Sequence, residues 1–111
     1  MLHIDYRDER PVYEQIVSGI QKLILKGVYS ADEQLPSVRS LAMELSTNPN
    51  TIQKAYGELE RRGYIYSVKG RGNFVCDAEE LLKQRKQEFR DRLEDLFREA
   101  EEIGIGREEL L

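Results

Sequence analysis

Apolar side chains recur at intervals of three and four residues in three successive segments, which predicts three amphipathic helices. The first helix is predicted over residues 11–26, and Gly27 follows its end. The second begins after Ser37 and the third after Asn48, because both side chains can accept a backbone N–H of a first helical turn. Gly63 ends the third helix. The predicted buried positions of the three helices are Tyr13, Ile16, Val17, Ile20, Leu23 and Ile24; Val38, Leu41, Ala42 and Leu45; and Ile52, Ala55, Tyr56 and Leu59.

Prolines support two of these helix starts. Pro11 and Pro49 each suit a first helical position, where the N–H that proline lacks would have no partner. Between the second and third helices only Ser46 and Thr47 remain, so we expect a tight turn there. Residues 28–36, between the first and second helices, are predicted to be a loop.

After Gly63 the pattern changes from helical to extended. Residues 64–68 and 73–76 are rich in aromatic and β-branched side chains, and residues 69–72 between them contain two glycines. This combination predicts a β-hairpin with a glycine-containing turn. From Ala78 onward the helical period returns.

The last third of the chain carries one apolar side chain every three or four residues, with a polar interruption at Lys86. Such a heptad-like seam on a polar helix needs a partner to cover it. We expect a second copy of the chain to be that partner; packing on the chain's own first helix is the alternative. Gly104 and Gly106 interrupt the helix, and residues 107–111 can begin another turn. The residues predicted for the dimer interface are Leu82, Phe89, Leu93, Leu96, Phe97, Ala100 and Ile103.

Composition and charge narrow the class of protein. In 111 residues with a net charge of −4, residues 1–76 carry +1, residues 77–111 carry −5, and the stretch 36–76 carries +3. Such asymmetry is a hint of a nucleic-acid surface in the first part. The N-terminus has no apolar run typical of a secretory signal, so we expect a cytoplasmic protein. One cysteine, Cys76, and one histidine, His3, leave no disulfide framework, metal cluster or catalytic pair, so we predict no enzyme activity, cofactor or metal site.

Three helices followed by a hairpin match the plan of a winged helix-turn-helix. The fold class is therefore mainly α with a small β-hairpin: residues 1–76 form a DNA-binding domain and residues 77–111 a helical dimerisation tail. At 100° per residue, the side of the third helix opposite its apolar stripe carries amides, cations and a glycine, and no acid. Amides and cations are the groups that contact bases and phosphates; a solvated helix face is the alternative. These residues are Asn50, Lys54, Gly57 and Arg61, with Gln53 on the flank.

Cations at two other places are also candidates for contacts with bases or phosphates. Arg39 lies in the first turn of the second helix, where it opposes the helix dipole, so we expect it to contact a phosphate or a guanine; a surface ion pair with Glu44 is the alternative. Lys69 and Arg71 at the hairpin tip are expected to reach DNA, although charges at such a turn also keep a sheet edge soluble.

Several separated motifs resemble the DNA-binding domain of the GntR family of bacterial transcriptional regulators. They run from about residue 10 to residue 76: Pro-Val-Tyr-Glu-Gln-Ile from Pro11, Leu-Pro-Ser-Val-Arg from Leu35, Asn-Pro-Asn-Thr-Ile-Gln-Lys-Ala-Tyr from Asn48, and Gly-Tyr-Ile from Gly63, which leads to Gly-Arg-Gly-Asn-Phe-Val from Gly70. The short helical tail resembles the YtrA-like subfamily, in which the tail mediates dimerisation.

The resemblance implies a role for particular residues. Arg39 would contact the operator; Pro49, Asn50, Thr51 and Gln53 would read the major groove; and Lys69, Gly70 and Arg71 would enter the minor groove. Many family members have a glycine in the turn between the second and third helices where this chain has Ser46-Thr47, which makes that turn's geometry an open question.

The leading functional hypothesis is a dimeric repressor that binds double-stranded operator DNA of pseudo-palindromic sequence. A winged-helix module that binds another protein, without sequence-specific DNA binding, is the alternative. A third class, the regulatory head of a pyridoxal-phosphate enzyme, would need residues beyond Leu111. No membrane partner is expected. The resemblance suggests a transporter operon as target, and the residues point to no particular operator sequence or effector.

Overall fold

A computed structural model describes residues 2–111 of the chain. The first compact unit ends at Leu81, and the second covers Leu82–Leu111. Among the described residues, no helix is both long enough and apolar enough to cross a membrane. The elements are α1 (Val12–Leu25), α2 (Val38–Glu44), α3 (Pro49–Arg61), β1 (Ile65–Val68), β2 (Gly72–Val75), α4 (Ala78–Glu102) and a 3-10 turn (Arg107–Leu110).

The apolar stripes of the first three helices form one core, as the sequence predicts. α3 contributes most completely, because Ile52, Ala55, Tyr56 and Leu59 are all fully buried. α3 packs against both α1 and α2. The remaining fully or nearly fully buried residues of this core are Ile16, Val17, Ile20, Ile24, Leu35, Leu41, Ala42, Tyr64, Ile65, Val75 and Leu81. The predicted positions Tyr13, Leu23, Val38 and Leu45 are only half-buried.

Side-chain caps start α2 and α3 where the sequence predicts. Ser37 accepts the backbone N–H of Ser40 at 3.0 Å, and Asn48 accepts that of Asn50 at 2.8 Å. Pro49 is the first residue of α3. Pro11 differs from its prediction by one position: its ψ of 149° is extended, so it precedes α1 as the N-cap residue.

All four helices end alike, with the residue after the C-cap in the left-handed region and the following N–H bonded back to the last turn. Glycine occupies this position after α1, α3 and α4, whereas Ser46 occupies it after α2 with a φ of 51°. The N–H of Thr47 then donates to the carbonyl of Ala42 at 2.9 Å. The turn between α2 and α3 therefore keeps the usual geometry with a serine in a conformation that favours glycine.

The hairpin is present as predicted, and it has a third extended segment that the sequence does not predict. β1 and β2 pair antiparallel, with Ile65 opposite Val75 and Val68 opposite Gly72. The chain before α2, predicted to be a loop, pairs with the other edge of β2: the N–H of Leu35 donates to the carbonyl of Asn73, and that of Val75 to the carbonyl of Glu33, both at 2.9 Å. The hairpin is thus hydrogen-bonded to the segment that leads into α2.

In the second unit, α4 is followed by a short return of the chain. After Gly104 the backbone leaves the helix, and the 3-10 turn brings Arg107 back to α4. The guanidinium of Arg107 makes two hydrogen bonds to the Glu94 carboxylate, at 2.9 and 3.2 Å, and lies 4.2 Å from the centroid of the Phe97 ring. The tail therefore has a small packed cluster of its own.

We predict that Ser46→Gly stabilises the protein by about 0.5–1 kcal/mol, because glycine adopts a left-handed φ without the steric cost that a side chain adds. Urea unfolding followed by circular dichroism measures the change. Ser46→Val, which adds a β-branched side chain at the same φ, is the matched comparison and should destabilise the protein. A loss of stability in the glycine variant would contradict this explanation of the turn.

Candidate nucleic-acid interface

The exposed side of α3 begins with groups that can pair with base edges. Pro49, Asn50 and Gln53 are exposed and Thr51 is half-buried. Among the described residues, the side chains of Asn50, Thr51 and Gln53 have no hydrogen-bond partner. Because Asn48 binds the N–H of Asn50 at 2.8 Å, the first turn of the helix is fixed while these side chains remain available.

The two cations of the same helix already have partners within the chain. The Lys54 ammonium lies 3.9 Å from the centroid of the Tyr13 ring of α1. Arg61 forms an ion pair with Glu58, which also binds Arg62 at 2.7 Å. Lys54 remains a candidate for a phosphate contact, but in the free protein it joins α3 to α1 through a cation–π interaction.

The acids of α3 are held by neighbouring groups. Hydrogen bonds from Arg61 and then Arg62 lower the pKa of Glu58, so that carboxyl stays ionised and paired. Glu60 accepts the backbone N–H of Ser67 in β1 at 3.0 Å. Each carboxylate is thus held by a donor, and the Glu60 contact ties the end of α3 to the hairpin.

Arg39 stands exposed in the first turn of α2. The ion pairs among residues 2–111 do not include it, so the alternative pair with Glu44 does not form. The start of α2 is fixed from α3, because the hydroxyl of Tyr56 donates to the carbonyl of Pro36 at 2.7 Å. Burial raises the pKa of the Tyr56 hydroxyl, which keeps it protonated as the donor.

The hairpin tip is held from the segment before α2. Gly70, with a φ of 76°, allows the N–H of Arg71 to donate to the carbonyl of Val68 at 2.9 Å. The side-chain amide of Gln34 donates to the carbonyl of Arg71 at 2.7 Å. Lys69 and Arg71 are exposed, and neither takes part in the ion pairs among the described residues.

Gln34 is a residue that reasoning from the sequence missed. It lies 37 residues from Arg71 in the chain, and no local pattern marks it. Its amide also lies 2.8 Å from the place where a Cβ on Gly72 would stand, so it packs against a position that glycine leaves open. The same segment makes a second hydrogen bond to the hairpin, because the Asp32 carboxylate accepts one from the hydroxyl of Tyr66 in β1 at 2.6 Å.

These contacts connect three groups of predicted DNA-binding residues. Tyr56 joins α3 to the start of α2, Glu60 joins α3 to β1, and Gln34 joins the segment before α2 to the hairpin tip. The result is a set of exposed amides and cations on elements that are hydrogen-bonded to one another, suited to binding a phosphate backbone and base edges. Within residues 2–111, no three His, Cys, Asp or Glu side chains are placed to hold a metal ion.

The seam predicted for dimerisation is exposed in the tail at most of its positions. Leu93 and Leu96 are 48% and 58% exposed. Together with Ala100, Ile103 and three apolar residues further along the chain, Ile105, Leu110 and Leu111, they line an open apolar groove of about 680 Å³. Leu82 and Phe89 are also exposed, and Ala100 is half-buried.

Phe97 differs from its prediction as an anchor for a partner. It is only 4% exposed, because Arg107 and the returning chain cover its ring. In the single chain it is therefore part of the tail's own cluster, and it also lines the groove. The Arg107 guanidinium that covers it lowers the pKa of Glu94 through the hydrogen bonds between them.

Comparison with known proteins gives one consistent family. The family described as "Bacterial regulatory proteins, gntR family" matches residues 12–75. The HTH-type transcriptional repressor YtrA of Bacillus subtilis (strain 168) is 38% identical over 99% of this chain and 86% of its own length. A GntR family transcriptional regulator from Listeria monocytogenes has a similar structure, with a TM-score of 0.66 and 38% identity over 96% of this chain and 93% of its own.

Similar solved structures include complexes of AraR(DBD) with operators. AraR(DBD) in complex with operator ORE1 matches with a TM-score of 0.59 and 30% identity. The match covers 68% of this chain and 93% of that one.

We predict that Tyr56→Phe destabilises the protein by about 1–2 kcal/mol, because it removes the donor to the Pro36 carbonyl and keeps the buried ring. Urea unfolding measures the loss. Tyr6→Phe is the matched control, since Tyr6 is 72% exposed and should tolerate the change. Equal stability of the Tyr56 variant and the wild type would show that this hydrogen bond does not hold α2 to α3.

Proposed function

The chain belongs to the gntR family of bacterial regulatory proteins, and on this premise we propose that it is a sequence-specific DNA-binding repressor that occupies a pseudo-palindromic operator as a homodimer. Residues 1–76 bind DNA and residues 77–111 pair the two copies. Repression follows from occupancy, since a dimer bound at a promoter blocks it.

The first turns of α3 read the major groove. Asn50 and Gln53 carry amides, which can donate to and accept from adenine at once, and Thr51 carries a hydroxyl and a methyl group. Pro49 begins the helix and contributes apolar surface. The observation that supports this role is that these side chains stand at the fixed N-terminal end of a helix whose opposite side is fully buried.

Cations at three places hold the DNA around this helix. Arg39 contacts the operator from the start of α2, and Lys54 contacts a phosphate when it leaves Tyr13. Lys69 and Arg71 enter the neighbouring minor groove, where Gly70 lets the tip turn tightly. Because each of these contacts neutralises phosphate charge, affinity should fall steeply as salt rises.

The one observation that carries the proposal is that the exposed cations at the start of α2 and on the hairpin tip are in no ion pair within residues 2–111, while the arginines at the end of α3 are paired. Arg61 and Arg62 are held by Glu58, whereas Arg39, Lys69 and Arg71 take part in none of the ion pairs among the described residues. These are the three cations to which the family resemblance assigns DNA contacts.

Dimerisation uses the exposed side of α4. Four apolar side chains along it and one directly after its end are each about half exposed or more: Leu82, Phe89, Leu93, Leu96 and Ile103. A 25-residue helix with this seam gains little stability alone. A second copy supplies the same seam, and paired DNA-binding units match the two half-sites of a palindrome.

In vitro selection of bound duplexes from a random library, at fixed salt, tests the function directly. We expect an enriched pseudo-palindrome whose half-sites lie about one helical turn apart. Recovery of no preferred sequence, with affinity that hardly changes with salt, would instead support a module that binds another protein.

We predict that Arg39→Ala and Asn50→Ala each weaken operator binding by about 1–3 kcal/mol. Fluorescence anisotropy with the selected duplex measures the dissociation constants. Lys26→Ala, which removes an exposed cation at the end of α1, is the control and should change affinity little. If both site variants bind like the wild type, the assigned surface does not read DNA.

We predict that replacing Leu93 and Leu96 together by Asp yields a monomer in multi-angle light scattering, because two carboxylates would have to be buried in the seam. The matched control is Gln84→Asp with Gln87→Asp, which adds the same charge on the opposite side of α4. A variant that stays dimeric would place the interface elsewhere.

A further inference from the structure

Gly57 lies in the interior of α3, with two turns of helix before it and one after it. Glycine is disfavoured in a helix interior more than any residue except proline, because it loses most backbone freedom on folding. The residue nevertheless stands in the helix whose packing organises the first unit. Helix stability therefore does not explain why glycine stands at this position, and another reason is needed.

Packing within the chain does not supply that reason. Gly57 is exposed, and its φ is not in the left-handed region. Its chain neighbours and its own helix backbone aside, no atom of the described residues lies within 4 Å of the place where a Cβ would stand. Alanine would therefore fit the free protein and stabilise the helix.

Of the four long side chains one turn away from Gly57, all but that of Gln53 are held by other groups. One turn before it, the Lys54 ammonium sits on the Tyr13 ring; one turn after it, Glu60 binds the N–H of Ser67 and Arg61 binds Glu58. The consequence is a patch of bare helix backbone on the same side of α3 as Asn50.

The position along the helix indicates what approaches this patch. Gly57 lies eight residues after Pro49, which is about 12 Å of helix at 1.5 Å per residue. The major groove is also about 12 Å wide. A helix that reads bases with its first turn therefore meets the sugar–phosphate strand at the groove edge near its third turn.

We propose that Gly57 is the point at which the α3 backbone packs directly against one sugar–phosphate strand of the operator, in the space that the absent side chain leaves open. This inference rests on the proposed function. A contact to the strand is the same for every base sequence, so its loss weakens binding to all duplexes alike.

The experiment uses the variants Gly57→Ala and Gly57→Gln of the 111-residue chain. Thermal unfolding measures their stability, and fluorescence anisotropy measures their affinity for the selected operator and for a random duplex. We expect Gly57→Ala to unfold at a higher temperature than the wild type and to bind DNA less tightly. Gly57→Gln should remain folded and lose about tenfold in affinity, which is about 1.4 kcal/mol. The ratio of operator to random-duplex affinity should stay unchanged in both variants.

Two results would overturn the proposal. Wild-type affinity in Gly57→Gln, while Asn50→Ala loses affinity in the same assay, would show that α3 reads DNA without a close approach at Gly57. A loss confined to the operator, with random-duplex binding intact, would mean that Gly57 faces bases and not the strand. If Asn50→Ala and Arg39→Ala also bind normally, the proposed function itself fails, which is a separate outcome.

Discussion

Burial of one side of α3 is the constraint on which the rest of the first unit depends. Ile52, Ala55, Tyr56 and Leu59 fill the core between α1 and α2, and this fixes which side chains face outward. Tyr56 also constrains the position of α2 relative to α3. Its hydroxyl donates a hydrogen bond to the carbonyl of Pro36, the residue before the N-cap of α2. A buried donor must find an acceptor, so the relation between α2 and α3 is specified by a hydrogen bond as well as by apolar contact.

Positive and negative charges are distributed unevenly along the chain. The net charge of −4 combines a first part that is close to neutral with an acidic tail. Within the first part, Glu58 and Glu60 are bound by donors of α3 and β1, and Lys54 packs on Tyr13. The exposed cations at the start of α2 and on the hairpin tip take part in no ion pair among the described residues, so they can bind phosphates without first breaking one. An overall negative charge is therefore compatible with DNA binding.

The tail combines a closed cluster with an open seam. Arg107 returns to Glu94 and covers Phe97, which gives α4 some packing of its own. Leu93, Leu96 and Ile103 remain exposed, and with the returning chain they line an apolar groove. Covering such a surface gives a favourable hydrophobic free energy in proportion to the area removed from water. That is the physical basis for the proposed pairing of two chains.

The sequence by itself determined the features that depend on neighbours within a few residues. Helix periods, the Ser37 and Asn48 caps and the hairpin turn were all predictable, because each depends on local spacing and on side-chain bonds to the adjacent backbone. Only the tertiary structure decided contacts between residues far apart in the chain: Gln34 with Arg71, Lys54 with Tyr13, and the extended segment beside β2. It also showed that residues of the same chain cover the Phe97 ring. Among the described residues, none fills the space in which a side chain at position 57 would stand. Local patterns state which side of an element is apolar, whereas the partner on that side is selected by how the whole chain packs.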